Sequence, residues 1–560
     1  MKIVGHSNVR AMLGRILLGV TVFACAAPAL AKDELTIGIT QFPSTFHPSI
    51  DAMMAKTFIL GMAERPFTAY DQSWKLVCML CIELPTFENG LAKREKTPDG
   101  KDGIALTYTI QPKATWGDGV PVTTKDVLFT WNVGREPKSG MGPVELYRRI
   151  LKIDPVDDKT FVMHVDRITF DYNGIDDFRV LPAHLEQAAF EDPTQYRTHT
   201  RFDTDTTNPG LYFGPYRITR VSPGAFVVLE PNPTWYGAAP FFKRIVVKAI
   251  ENTSALEANL LSGGVDYIAG ELGLTIDQAL AFQAKHPDEY RYVYKPSLTY
   301  EHVEFNLENP ILADLRVRRA LALALDRNAV NNRLFGGRQP PATSFVTPLD
   351  WVYAKDLPGY PYDAKQAAAV LDDAGWLIGP GGVRQNAAGA KLSLELMSTA
   401  GNRIRELVEQ VLQSQWKAVG VDVRIRNEPA RVFFGDTVTH RKFSAMAMFA
   451  WISAPENVPR STFHSAEIPS AANGWSGQNE KGYRNAEMDQ LIDEAEVELD
   501  RGKRRLIWHR IQEIFLTDLP EIPLFYRADP YIIPTWLEGI APTGHQDPTS
   551  LWVETWRASG

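Results

Sequence analysis

Leu106-Thr107-Tyr108-Thr109-Ile110, Trp116-Gly117-Asp118-Gly119 and Thr123-Thr124-Lys125-Asp126-Val127 follow one another closely in the chain. The first piece lies in a β-branched and aromatic run, Ile104 to Ile110, that predicts a strand. Gly117, Asp118 and Gly119 are turn chemistry, since glycine supplies unusual dihedrals and Asp tolerates them. Thr123 followed three residues later by Asp126 reads as a capping-box helix start, with Val127, Leu128 and Trp131 on one helical face. The unit is strand, turn, helix.

Similar patterns alternate outward from it. Leu35 to Thr40 is a β-rich run that empties into the aromatic loop Gln41 to Pro48, which suggests a pocket wall. Tyr216 to Val221 and Ala225 to Glu230 flank Ser222-Pro223-Gly224 as a hairpin, and Arg244 to Ile250 adds a strand. Asp314 caps a helix with the apolar stripe Val317, Ala320, Leu321, Ala324 and Leu325, and with Arg316, Arg318 and Arg319 on its exposed face. Helices over Asp363 to Ala374 and Arg403 to Val419 each stop at a glycine, and the second leads into a strand from Val421 to Arg426. Two acidic helices, Asn485 to Asp500 and Arg501 to Thr517, precede a return strand through Ile522 to Tyr526. Strands and helices so interleaved make an α/β chain.

At 560 residues and 44% hydrophobic content, more than one packed lobe is expected. A net charge of −8 without a long basic run argues against a nucleic-acid partner. Residues 1–31 read as a cleavable secretory signal: Lys2, Arg10 and Arg15 precede the apolar stretch Ile16 to Ala27, which ends at Ala29-Leu30-Ala31. Cleavage there removes three basic side chains and no acid, taking the balance from −8 to −11. Lipidation at Cys25 is the lesser alternative, because Phe23 is bulky where such signals favour small residues. Export without another apolar span points to the periplasm. Cys78 and Cys81 lack the company of a zinc site or a thioredoxin-like dithiol, so they read as a structural disulfide or as two buried thiols. No Gly-x-Ser-x-Gly elbow supports a hydrolase, and no cofactor motif or clustered metal spacing is found, so the chain reads as a non-enzyme.

These residues resemble the family of extracellular solute-binding proteins of peptide, dipeptide and nickel ABC importers, family 5. The likeness rests on the strand-turn-helix stretch quoted first. It is joined by Gly214-Pro215-Tyr216, Leu261-Ser262-Gly263-Gly264-Val265-Asp266, Arg316-Val317-Arg318-Arg319-Ala320-Leu321 with Asp326-Arg327, and Asn485-Ala486-Glu487-Met488-Asp489. It implies a periplasmic-binding-protein-like fold with two main lobes around a ligand cleft and an inserted extra domain. The implied boundaries are a first lobe at 33–66, 211–296 and 525–560, an insertion at 67–210, and a third lobe at 297–524 that closes over the ligand. The chain would cross between lobes near residues 296 and 524. The implied function is transport: a monomer captures a short peptide or peptide-like solute and delivers it to an ABC permease at the inner membrane. An opine, an oligosaccharide, a nickel chelate or a chaperone-like role remain alternatives.

The ligand-binding candidates are Phe42, Phe46, Tyr212, Tyr300, Trp451, Ser453 and Glu456. In the peptide-binding members, the resemblance implies, a Trp equivalent to Trp451 is followed three positions later by an Asp that anchors the peptide's α-amine. Here that position is Ala454, which can neither neutralise nor hydrogen-bond an ammonium. Glu456 is either its replacement or an exposed loop acid. His302, alternating with Val303 on a strand, reads as a structural group rather than a metal ligand.

Overall fold

A computed structural model of the chain describes residues 32–142 and 144–559. The expected signal peptide and Cys25 lie outside those residues. Among the described residues, no helix is long and apolar enough to cross a membrane.

Ten strands form the principal sheet. From one edge they run Asp422–Glu428, Ser393–Thr399, Met446–Ile452, Tyr290–Phe305, Glu521–Pro534, Tyr267–Ile268, Glu34–Ile39, Arg244–Ala249, Phe226–Pro231 and Tyr216–Ser222. Each half has a parallel centre. Glu34–Ile39 lies parallel to both Arg244–Ala249 and Tyr267–Ile268, and Ser393–Thr399 lies parallel to both Asp422–Glu428 and Met446–Ile452. Parallel neighbours need a crossover, and the helices Thr253–Leu261 and Arg403–Ala418 supply one in each half. The α/β expectation is met.

The two halves are joined by the longest strands, Tyr290–Phe305 and Glu521–Pro534, which pair antiparallel along both. Their ladder is interrupted between Pro296 and Tyr300. Pro296 has no N–H to give, and beyond it Leu298 N–H turns away to Gly544 O, at 2.7 Å. Residues 296 and 524, near which the chain is expected to cross, lie within these strands.

A second sheet of four antiparallel strands, Ala92–Lys96, Asp102–Thr109, Thr160–Val165 and Ile150–Pro155 in spatial order, occupies the expected insertion. Its interior is continuous with the chain around it, because one apolar cluster runs from Leu35 through Tyr108 and Phe213 to Trp556. A separate large cluster is built wholly from residues between Val303 and Phe525. Cys78 and Cys81 are disulfide-bonded, with Cα atoms 5.2 Å apart.

The local expectations hold with small shifts. Thr123 caps the helix Thr124–Gly134 in a reciprocal capping box with Asp126. That helix buries Asp126, Val127, Thr130 and Val133, whereas Leu128 and Trp131 pack only at the edge. The helix begun by Asp314 ends at Leu323, and Asp326 caps a new helix, Arg327–Phe335, so Ala324 and Leu325 are buried in a turn. Arg318 is not on an exposed face. It is 8% exposed and donates to the carbonyls of Leu312, Ala313, Asp518 and Leu519, covering the C-terminal end of the helix Arg501–Asp518.

Asp126 ties the quoted stretch together. Its carboxylate accepts from Thr123 N–H at 2.8 Å, Ala183 N–H at 3.0 Å and Trp116 Nε1–H at 3.3 Å, all but excluded from water. Gly117 is equally constrained, because a Cβ there would lie 2.5 Å from Pro209 O. Asp126→Ala would orphan three buried donors and should cost about 2–4 kcal/mol. A fall in chemical-denaturation stability of that size is the expected result, and a change under about 0.5 kcal/mol would contradict the assignment.

Candidate ligand-binding cleft

A cavity of about 560 Å³ opens beside the break in the central ladder, within the range of small-ligand sites. Several parts of the chain line it. The loop and helix after the first strand contribute Gln41, Asp51, Lys56 and Glu64; the segment from Glu145 to Arg197 contributes Arg149, Phe170, Asp176, Asp177 and Arg179; and the strand end from Ala450 to Asn457 contributes the opposite wall. Thr299, Tyr300, Arg527 and Asp529 line it from the two long strands.

Contacts close the cleft across its mouth. Phe170 N–H donates to Glu496 O at 3.0 Å, Arg504 stacks over the Phe170 ring at 4.3 Å, and Gln546 Nε2 donates to Asp176 Oδ2 at 2.5 Å. Arg460 pairs with Glu496 and Asp493 and approaches Glu145 at 4.0 Å, while Arg167 approaches Glu496 at 3.9 Å.

Tyr300, Trp451, Ser453 and Glu456 line the cavity. The first two are brought together by strand register, since Tyr300 is the direct partner of Trp451. Tyr300 donates its hydroxyl to Glu521 Oε1 at 2.7 Å, and the buried Trp451 Nε1–H has no hydrogen-bond partner. Ala454 also faces the cavity.

Glu456 is held elsewhere. Its backbone occupies the left-handed region, at φ 57°, fixed by its N–H to Asp350 Oδ2 at 2.9 Å. Its carboxylate accepts from Arg504 Nη2 at 3.0 Å, with Arg501 at 3.7 Å. It is neither a free loop acid nor an unpaired replacement for an acid at 454.

Phe42, Phe46 and Tyr212 do not line the cavity. Phe42 and Phe46 pack edge to face in the first apolar cluster, and the fully buried Tyr212 donates its hydroxyl to Thr206 O. Closeness in sequence to a pocket-wall loop or to the Gly-Pro-Tyr motif does not direct a side chain toward the cavity, and the apolar interior takes these rings instead.

Beneath Tyr300 lies a dry cluster of charge. Among the described residues His302, Glu304 and Glu521 are grouped closely enough to hold a metal ion, their ligand atoms lying within 4.8 Å of one another. Lys481 already supplies the cation, with Nζ 3.4 Å from Glu304 and 3.2 Å from Glu521. His302 sits against Tyr300 and Phe449 with neither ring nitrogen hydrogen-bonded, so it serves packing more than polar satisfaction. An ammonium between two carboxylates makes this a structural ion cluster rather than a metal centre.

The cavity wall is acidic, with twelve Asp and Glu side chains against seven Lys and Arg. The basic groups are largely engaged. Lys56 is turned to the carbonyls of Ile50 and Asp51, Arg197 is paired with Asp51, and Arg405 donates to Glu301 at 2.6 Å. Burial lowers Lys56 to about 8. Burial likewise raises Glu64 to about 8, only partly offset by Arg179 and Lys56, and raises Asp529 to about 6. Asp176 is pushed well above the carboxylate range by burial and then by the like charges of Asp177 and Asp547.

The family model for bacterial extracellular solute-binding proteins, family 5 (middle) matches residues 86–505. The chain is 25% identical over 513 residues to the oligopeptide-binding protein AppA of Bacillus subtilis (strain 168), covering 90% of this chain and 88% of that one. An oligopeptide-binding protein from Thermus thermophilus, solved with a pentapeptide, superposes with a TM-score of 0.86 at 26% identity, covering 94% of this chain and 96% of the other. The AppA structure from Bacillus subtilis, solved with a nonapeptide, gives 0.83 at 23% identity and covers 95% and 99%.

Glu64 makes the charge of the cleft measurable. Its folded value, about 8, lies above the ordinary 4.5, so the folded protein keeps a proton that the unfolded chain has released between those pH values. Stability from this group therefore falls as pH rises through that window. In solute-free protein, the melting temperature of the wild type relative to Glu64→Gln should decline from pH 5 to pH 8. Asp176, Asp177, Lys56 and Arg179 are common to both proteins, so the difference isolates Glu64. A flat difference would contradict the assignment.

Proposed function

The chain belongs to the bacterial extracellular solute-binding proteins of family 5, and from that premise we propose that it captures a short peptide or peptide-like solute in this cleft and hands it to an ABC permease. The observation that carries the reading is the cavity of about 560 Å³, in a chain that superposes along nearly its whole length on proteins solved with peptides. Such a protein is a carrier rather than a catalyst, and it works in the periplasm.

In this account residues 33–66, 211–296 and 525–560 form the first lobe, 67–210 the insertion and 297–524 the lobe that closes. The two long strands are the hinge, because the ladder between them is already interrupted at Pro296. The contacts of Arg460, Arg167 and Arg504 across the mouth hold the closed form. Tyr300, Trp451 and Ser453 touch the solute. Trp451 offers a flat apolar face to a peptide backbone, while Ser453 N–H is already spent on Leu298 O. A second reading, a solute without a free α-amine such as an opine, is favoured by Ala454 where the peptide-binding pattern has an acid.

Isothermal titration with peptides of two to five residues tests the reading. Trp451→Ala should weaken the best binder by about tenfold to a hundredfold, equivalent to about 1.4–2.7 kcal/mol. Glu456→Gln should instead lower the melting temperature through the weakened Arg504 contact and leave affinity within about threefold. No binding by any peptide in the set would overturn the peptide reading. Equal affinities for the wild type and Trp451→Ala would remove Trp451 from the site.

A further inference from the structure

The buried acids fall into two kinds. Those with structural work away from the cavity are saturated: Glu186 accepts from Tyr196 at 2.7 Å and from Arg201 N–H at 2.6 Å, and Asp126 accepts three bonds. Glu64 is different. It is 4% exposed, lines the cavity, and its Oε1 has no hydrogen-bond partner. Asp176 has one side-chain partner, Gln546, and Asp177 shows its surface while lining the cavity. Behind them the buried Asp547 accepts from Tyr70 N–H at 2.8 Å and leaves Oδ1 unbonded, 3.9 Å from Arg179 Nη2. The charge of Arg179 bears on all four carboxyl groups.

Arg179, with Lys56 beside Glu64, brings fewer positive charges than there are acids about it, and a buried acid with a bare oxygen is costly unless something arrives to meet it. Sites that break the rule of polar satisfaction are where ligands bind. We propose that Glu64, Asp176 and Asp177, gathered about Arg179, form a subsite for a positively charged group of the captured solute, an ammonium or guanidinium. The subsite takes over the role of the carboxylate absent at Ala454, from another wall of the cleft. This inference rests on the solute-capture reading above and adds the charge of the solute to it.

The test uses protein freed of carried solute by unfolding and refolding. Four tripeptides separate the two sources of positive charge: Ala-Lys-Ala, Ala-norleucine-Ala, and the N-acetylated form of each. Agmatine, a small amine-guanidine, is a probe independent of peptide recognition. In the wild type, removing either the lysine ammonium or the α-ammonium should cost at least tenfold in affinity, and the peptide that suffers identifies which group is held. In Glu64→Gln, Asp176→Asn and Asp177→Asn that cost should shrink to under threefold. The substitutions are nearly isosteric, and Glu64→Gln should melt no lower than the wild type without solute above about pH 8, where the wild-type carboxyl carries an unbalanced charge.

Equal binding of all four peptides to the wild type, or an undiminished cost in all three variants, would overturn the proposal. If no peptide binds but agmatine raises the melting temperature of the wild type and not of the variants, the subsite stands and the peptide reading falls. If neither the peptides nor agmatine shifts it, both fall.

Discussion

The pairing of Tyr290–Phe305 with Glu521–Pro534 is the constraint on which the rest of the molecule depends. These two strands alone extend the hydrogen-bonded sheet from the half built around Glu34–Ile39 to the half built around Ser393–Thr399. They are pinned below the cleft by Lys481 between Glu304 and Glu521, a cluster dry enough that losing any one charge would strand the others. They are released at the cleft, where Pro296 withholds a donor and Leu298 bonds outside the ladder. A sheet rigid at one level and interrupted at the next has a natural place to bend. The cavity lies beside that place, and Tyr300 connects the two levels by donating to Glu521 from the cavity wall.

The chemistry of the cleft follows from what that frame leaves unbalanced. A wall with many more acids than bases, whose bases are largely turned to carbonyls or paired acids, is poorly compensated when empty. It is a chamber of mixed polarity lined by Trp451 and by the acids Glu64, Asp176 and Asp177. A zwitterionic or basic solute would supply the missing positive charge, and in exchange the cleft would hold it away from water, where each charge contact is stronger.

Much of the fold was legible because it is written locally. The strand, turn and helix from Ile104 to Gly134, the caps Asp314 and Asp363, and the glycine stops at 375 and 420 need only their immediate neighbours. Tyr300 and Trp451, singled out through the family resemblance, both line the cavity because strand register pairs them directly. The errors share one cause: partners distant in sequence. Arg318 caps carbonyls some 200 residues away, Glu456 is claimed by Arg504, and Phe42, Phe46 and Tyr212 answer to an interior assembled from both ends of the chain. Glu64, Asp176 and Asp177 carry no spacing that marks them. Only the return of the chain at Asp547 and the shared neighbour Arg179 make them one group. The bare oxygen of Glu64 is a signal that exists in three dimensions alone.

The most direct test of the central claim is to purify the protein under native conditions from cells that produce it, then denature it and identify what it releases by mass spectrometry. The account predicts one solute per chain, peptide-like and bearing at least one amine or guanidine. Release of a neutral or purely anionic solute, such as an oligosaccharide, would contradict it.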